Sequence, residues 1–168
     1  MAMIIRAGTG RPTVIKVFAG LILLGFLFHT LGLGIRWYIS GHSPMSNGYE
    51  SLLFISWVTV LAGLFFYRRS ALTLAATAVL AALTLMVAHL SFMDPEITNL
   101  VPVLQSYWLT LHVSVITASY GFLGLGAILG LVNMILYSLN NRSNRKSILR
   151  TVDDLTVINY RSLVLGLY

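Results

Sequence analysis

Four long apolar runs, over residues 17–35, 51–67, 71–91 and 108–137, constrain this chain more than any other feature. About 20 predominantly apolar residues carry an α-helix across the hydrocarbon of a bilayer. The second run has only 17 residues, but Glu50 before it and Arg68-Arg69 after it bound it sharply. The fourth is long enough to tilt, or to project a turn beyond the hydrocarbon. A chain of 168 residues with 57% hydrophobic and 10% charged residues is also too apolar for an ordinary soluble domain. The fold class predicted is therefore all-α: a polytopic integral membrane protein of four transmembrane helices, forming a single membrane domain over 1–168 and a fragment of a larger helical one. The first run is too long for the apolar stretch of a signal peptide, no secretory cleavage site follows it, and it ends on Arg36-Trp37-Tyr38, an interfacial anchor. It reads as a retained helix.

Basic residues orient these helices. With the N-terminus inside, the inner side carries ten of the eleven Lys and Arg residues against Asp153 and Asp154. The outer side then carries Arg36 alone against Glu50, Asp94 and Glu96. This is the distribution the positive-inside rule requires. The formal charge of +6 thus punctuates apolar runs rather than forming a surface stripe, so lipid and not nucleic acid is the partner it fits.

Two outer loops result, 36–50 and 92–107, both rich in proline, glycine, asparagine and aromatics. A basic inner loop covers 140–150. Beyond it, Thr151 with Asp154 three residues on reads as a helix start, and Val152, Leu155 and Ile158 as one apolar side of a short helix on the inner face, with an ordinary polar connection between helices fitting the same residues equally well. The final stretch, 163–168, turns apolar again and reads as the start of a cut-off fifth span.

Chemistry must come from four histidines and five carboxylates, because the chain has no cysteine. No His-Glu-x-x-His, glycine-rich phosphate loop or carboxylate pair on one helical face is present. At 1.5 Å per residue all four histidines fall in the outer half of the membrane or just outside it: His29 about 20 Å past Lys16, His89 about 30 Å past Arg69. Imidazole is the usual axial ligand of haem iron; it needs an apolar wall for the porphyrin and a hydrogen bond on its other nitrogen. His112 fits best, with Tyr107, Trp108, Leu109, Leu111 and Val113 around it and Ser106 and Thr110 as potential partners. Composition alone favours the other reading, an interfacial histidine of the same aromatic belt. His29 lies between Gly25 and Gly32, a small-residue stripe suited to close helix approach, and reads as a buried, hydrogen-bonded packing histidine. His89 follows the Ala75, Ala78, Ala82 stripe and reads the same way. His42, in Ser40-Gly41-His42-Ser43-Pro44, reads as a loop-structuring residue. Gly126-x-x-x-Gly130 is a helix-contact motif.

The stretch Arg36-Trp37-x-x-Ser40-Gly41-His42-x-Pro44-x-Ser46-Asn47-x-Tyr49-Glu50-Ser51 resembles the first outer loop of the CcsA/CcsBA family, the system II cytochrome c synthetases. The segment Pro102-Val103-Leu104-Gln105-Ser106-Tyr107-Trp108-Leu109-Thr110-Leu111-His112-Val113 resembles the part of that family that carries the first outer haem-ligating histidine. With the helix order, the resemblance covers residues 14 to 168. It reverses the reading of His112 in favour of ligation. It implies a b-type haem carried transiently across the membrane and held on the outer face, with His112 as metal ligand and Trp108 and Tyr107 in the cofactor site. It further implies an apocytochrome c with a CxxCH motif as partner, a CcsB-type partner or fused domain, and a bacterial inner (cytoplasmic) membrane rather than a thylakoid. The family's tryptophan-rich WWD loop, second outer histidine and transmembrane histidine pair have no counterpart in these 168 residues. The resemblance therefore implies a haem lyase as the complete protein, with weak or absent haem binding and no activity in this chain alone. A haem or small-molecule conduit without lyase activity and a cofactor-free assembly subunit are the alternatives.

Overall fold

The computed structural model describes residues 12–90, 93, 95–97, 106–138 and 145–168. Its five helices are α1 (Pro12–Ser40), α2 (Gly48–Phe66), α3 (Ala71–Ala88), α4 (Tyr107–Ser138) and α5 (Arg145–Leu167). The first four are long and apolar enough to cross a membrane. With the composition, this makes the chain a multi-pass membrane protein. Its outer and inner sides are named below as the charge pattern assigns them.

The helix ends follow from local chemistry. Pro12 opens α1, where its missing N–H is no loss. The sequence suggests an end near residue 35, but α1 runs on through Arg36-Trp37-Tyr38 to Ser40. A charged and aromatic belt marks a depth in the membrane, not a helix end. The stop is Gly41, which takes the left-handed φ of 70° and donates its N–H to the Trp37 carbonyl at 3.0 Å, an αL cap. Asn47 starts α2: its extended backbone turns the chain and its side chain accepts the Glu50 N–H at 2.8 Å. The first loop between helices is thus 41–47, shorter than the expected 36–50.

Thr151 is not a helix start. It lies inside α5, which begins at Arg145 within the stretch expected to be a basic loop. Nor does α5 stand alone on the inner face; it packs lengthwise against α4. Ile148, Leu155 and Ile158 are buried in the core and Val152 packs against it, while Asp153, Asp154 and Arg161 are exposed. An amphipathic stripe was legible; its start and its partner were not.

Helices α2 and α3 form one closely packed pair, α4 and α5 another, and α4 joins them by packing on α2. Lipid tails are as apolar as leucine, so membrane helices gain little from hydrophobicity alone and pack through small residues and hydrogen bonds. Gly63 sits directly against the Thr77 side chain, so a Cβ there has no room. Gly121 lies where a Cβ would come 3.3 Å from the Ile55 carbonyl oxygen. Ser162 donates to the Phe122 carbonyl at 2.9 Å, tying α5 to α4. The Gly126 motif does face a neighbour: a Cβ on it would come 2.5 Å from Leu163 Cδ2. The core, with Phe66, Leu125, Leu129, Leu155 and Ile158, sits toward the inner end of the bundle.

The outer end is looser. Helix α1 is almost entirely exposed, and touches α2 through Trp57, whose Nε1 donates to Thr30 Oγ1 at 2.8 Å and whose ring stacks on Phe26 and Phe54. Between the outer parts of α1, α2 and α3 lies a cavity of about 690 Å³, lined by Gly25, His29, Gly32, Tyr49, Ser56 and Ala82 among others. The close helix approach expected at Gly25 and Gly32 is absent: a Cβ on either would meet nothing within 4 Å. The Ala75, Ala78, Ala82 stripe likewise faces away from the packed side, which is formed by Leu74, Thr77, Ala81 and Ala88.

Candidate functional site at the outer end of α4

Tyr107, Trp108 and His112 occupy the first two turns of α4. Trp108 and His112 are four residues apart and share a face. Tyr107 and Trp108 stand edge to face with ring centroids 5.8 Å apart, and each is 75% exposed. His112 is exposed as well, and no described residue hydrogen-bonds its ring. Thr110, considered as its partner, donates its hydroxyl to the Ser106 carbonyl at 3.2 Å. That bond back to the preceding turn is where an intramembrane threonine satisfies itself most easily. The result is an exposed platform in which the His112 imidazole and the Trp108 indole lie one turn apart on the same face of the helix, while Tyr107, about 140° round the helix from His112, joins it through its edge contact with Trp108. One nitrogen donor beside flat apolar surface suits one axial side of a haem. A second histidine for the other side is not grouped with it: among the described residues no three His, Asp or Glu side chains gather in a metal-binding cluster.

The other histidines separate by environment. His89 ends α3; its N–H bonds the Leu85 and Met86 carbonyls, its Nδ1 lies 3.0 Å from the Leu85 carbonyl, and its ring meets Tyr49 edge-on at 6.3 Å. It is a helix-end residue rather than a packing residue. His42 places Nδ1 3.1 Å from the Ser43 carbonyl while its own carbonyl accepts from Ser40 Oγ at 2.8 Å, consistent with a loop-structuring role. His29 lines the outer cavity with its Nε2 buried and without a hydrogen-bond partner, so the cross-helix bond expected of it is not made.

The first outer motif is a network of polar contacts that sequence reading did not resolve. Glu50, 1% exposed, receives Arg36 Nε on one oxygen at 2.6 Å. Its other oxygen accepts from Ser46 N at 2.7 Å and Ser46 Oγ at 2.5 Å. Arg36 also lies over the Tyr49 ring, 5.3 Å from the centroid. Its remaining nitrogens reach the second outer loop, Nη1 to the Pro95 carbonyl at 2.9 Å and Nη2 to the Glu96 carbonyl at 3.1 Å. Counting Arg36 and Glu50 as loop charges hid that they neutralise each other. The available signal was Asn47-x-x-Glu50, the spacing of a capping box. Residues 98–105, with the Pro102–Gln105 third of the second motif, lie outside the described residues.

The model of the cytochrome c assembly protein family matches residues 45–168, most of the chain and all of α2, α3, α4 and α5. The chain belongs to the cytochrome c assembly protein family. Protein NrfI of Wolinella succinogenes is 53% identical over 142 residues, which are 84% of this chain and 16% of that protein. The cytochrome c biogenesis protein CcsA of Prochlorococcus marinus strain MIT 9303 is 42% identical over 115 residues, 66% of this chain and 36% of the relative. A CcsA from Synechococcus sp. strain CC9902 is 37% identical over 130 residues, 75% of this chain and 42% of the relative. The chain thus spans less than half the length of each of these relatives. Family membership agrees with the resemblance seen in both outer motifs.

Proposed function

We propose that the protein acts in cytochrome c biogenesis, holding haem at the outer face of a bacterial inner membrane for covalent attachment to an apocytochrome c bearing CxxCH. The observation that carries this is the exposed Tyr107, Trp108 and His112 platform on α4 of a cytochrome c assembly family member. In this reading His112 would hold the iron through a ring nitrogen, Trp108 and Tyr107 would give the porphyrin apolar cover, and the family's second outer histidine and tryptophan-rich loop would complete the site, with a CcsB-type partner or fused domain beside it. Bound haem supplies the vinyl groups to which the reduced cysteine thiols add. The chain's own contribution is orientation: helix α4 holds imidazole and aromatic surface in fixed register, with no acid or base required of it.

Co-expression of the complete protein with a CxxCH reporter apocytochrome, in a host lacking its own maturation system, tests this. Covalently haem-bearing reporter is expected. Its absence, with both proteins present and haem supplied, overturns the proposal. The cavity beside His29 favours a second reading, a haem or small-molecule conduit without lyase activity. That reading is selected if the complete protein carries haem and attaches none.

The reading also requires the α4 platform to lie outside, as the charge pattern assigns it. Single cysteines at Ser43 and Asp154 should react oppositely with an impermeant thiol reagent applied to intact cells, Ser43→Cys being labelled. Labelling of Asp154→Cys from outside would invert the topology and remove the platform from the face where it is needed.

A further inference from the structure

Arg36 is the one described basic residue on the outer side, and its guanidinium joins three separate pieces of chain. It sits on the last turns of α1, donates to Glu50 at the start of α2, and spans to two consecutive carbonyls, Pro95 and Glu96, in the loop that leads to α4. Each acceptor is met by a different nitrogen of one planar group, a spread that a guanidinium has and that a lysine, with its three donors on a single nitrogen, lacks. Glu50 is in turn held by both polar groups of Ser46, so the pivot is fixed from the first loop as well.

We propose that Arg36 is a positioning residue for the α4 platform. By holding Pro95 and Glu96 against the α1 and α2 ends, it fixes a point eleven residues ahead of Tyr107 in the chain and so limits where Tyr107, Trp108 and His112 stand. This rests on the reading of His112 as a haem ligand. Groups bonded directly to a metal ligand change metal affinity about 10- to 100-fold when altered, and Arg36, which acts at one remove through the chain ahead of α4, belongs at the lower end of that range.

Arg36→Lys is the informative variant. Lysine can keep the ion pair with Glu50, and with it the start of α2, but cannot also hold both loop carbonyls. In the complete protein, with any other cysteine replaced, spin labels at Tyr38→Cys and Ser106→Cys report the distance from the end of α1 to the start of α4. With Arg36→Lys at normal protein level, the distance distribution should broaden, haem retention should fall about tenfold, and the haem absorption spectrum should change. Added imidazole should not restore retention, because the His112 ring is still present. A merely structural role would lower protein level and leave the spectrum of surviving protein unchanged. An unchanged distance distribution, or an unchanged spectrum and haem content, overturns the proposal. If His112→Gly retains wild-type haem, the ligand reading itself has failed, and a broadened Arg36→Lys distribution then shows a loop clamp with no haem site to position.

Discussion

His112→Gly in the complete protein should insert at normal level, lose its haem and abolish cytochrome c maturation, and regain part of both when imidazole is supplied. The residue is exposed on the second turn of α4, so its removal should leave the packing of α4 on α2 and α5 in place. Glycine within a helix costs about 1 kcal/mol, small beside a 32-residue span. What the variant loses is a metal bond, and the gap it leaves admits a free imidazole. A belt histidine would gain nothing from that addition. Trp108→Ala should have the smaller effect, since it removes apolar cover and leaves the ligand in place. Haem content and reporter maturation at matched protein level decide the matter; wild-type values in His112→Gly would leave His112 as an interfacial anchor.

Glu50→Ala should have the largest effect on folding. The carboxylate is buried, and removing it leaves the Arg36 guanidinium, itself only 14% exposed, without its ion partner. It also strips both Ser46 donors of their acceptor. Breaking a buried pair from one side typically costs about 3–5 kcal/mol, because the remaining charge stays desolvated. We expect protein level in the membrane to fall sharply and the thermal midpoint of the purified protein to drop by several degrees. Combining Glu50→Leu with Arg36→Met removes both charges and should recover much of that loss, while leaving the second loop unclamped. If the double variant is no more stable than Glu50→Ala, the charge pair is not the source of the effect.

Sequence carried the spans well and the contacts between them poorly, for a physical reason. A helix that crosses a bilayer announces itself by continuous apolar composition, and the ends of the α4 run agree with the sequence to within a residue. Because these helices are apolar all round, composition does not say which side meets a neighbour. Gly25 and Gly32 have the spacing of a packing stripe yet face open space, whereas Gly63, which has no glycine partner at that spacing, is the most tightly packed of the described glycines. Only α5, with its charged residues confined to one side, showed its buried face beforehand. At the outer site, Tyr107, Trp108 and His112 were legible because aromatic and imidazole chemistry is visible one residue at a time. The Arg36 to Glu50 pair was not: its meaning lies in partners 14 and 59 residues away.

The central claim places haem iron beside the outer end of α4. That helix is about 48 Å long at 1.5 Å per residue, so its two ends are easily told apart. Spin labels at Ser106→Cys and Ser138→Cys, measured in the complete protein loaded with ferric haem, report proximity to the iron through enhanced electron-spin relaxation. Strong enhancement at Ser106 and none at Ser138, lost on His112→Gly and restored by imidazole, is the predicted result. Enhancement that is absent at Ser106, or that survives unchanged in His112→Gly without imidazole, would contradict it.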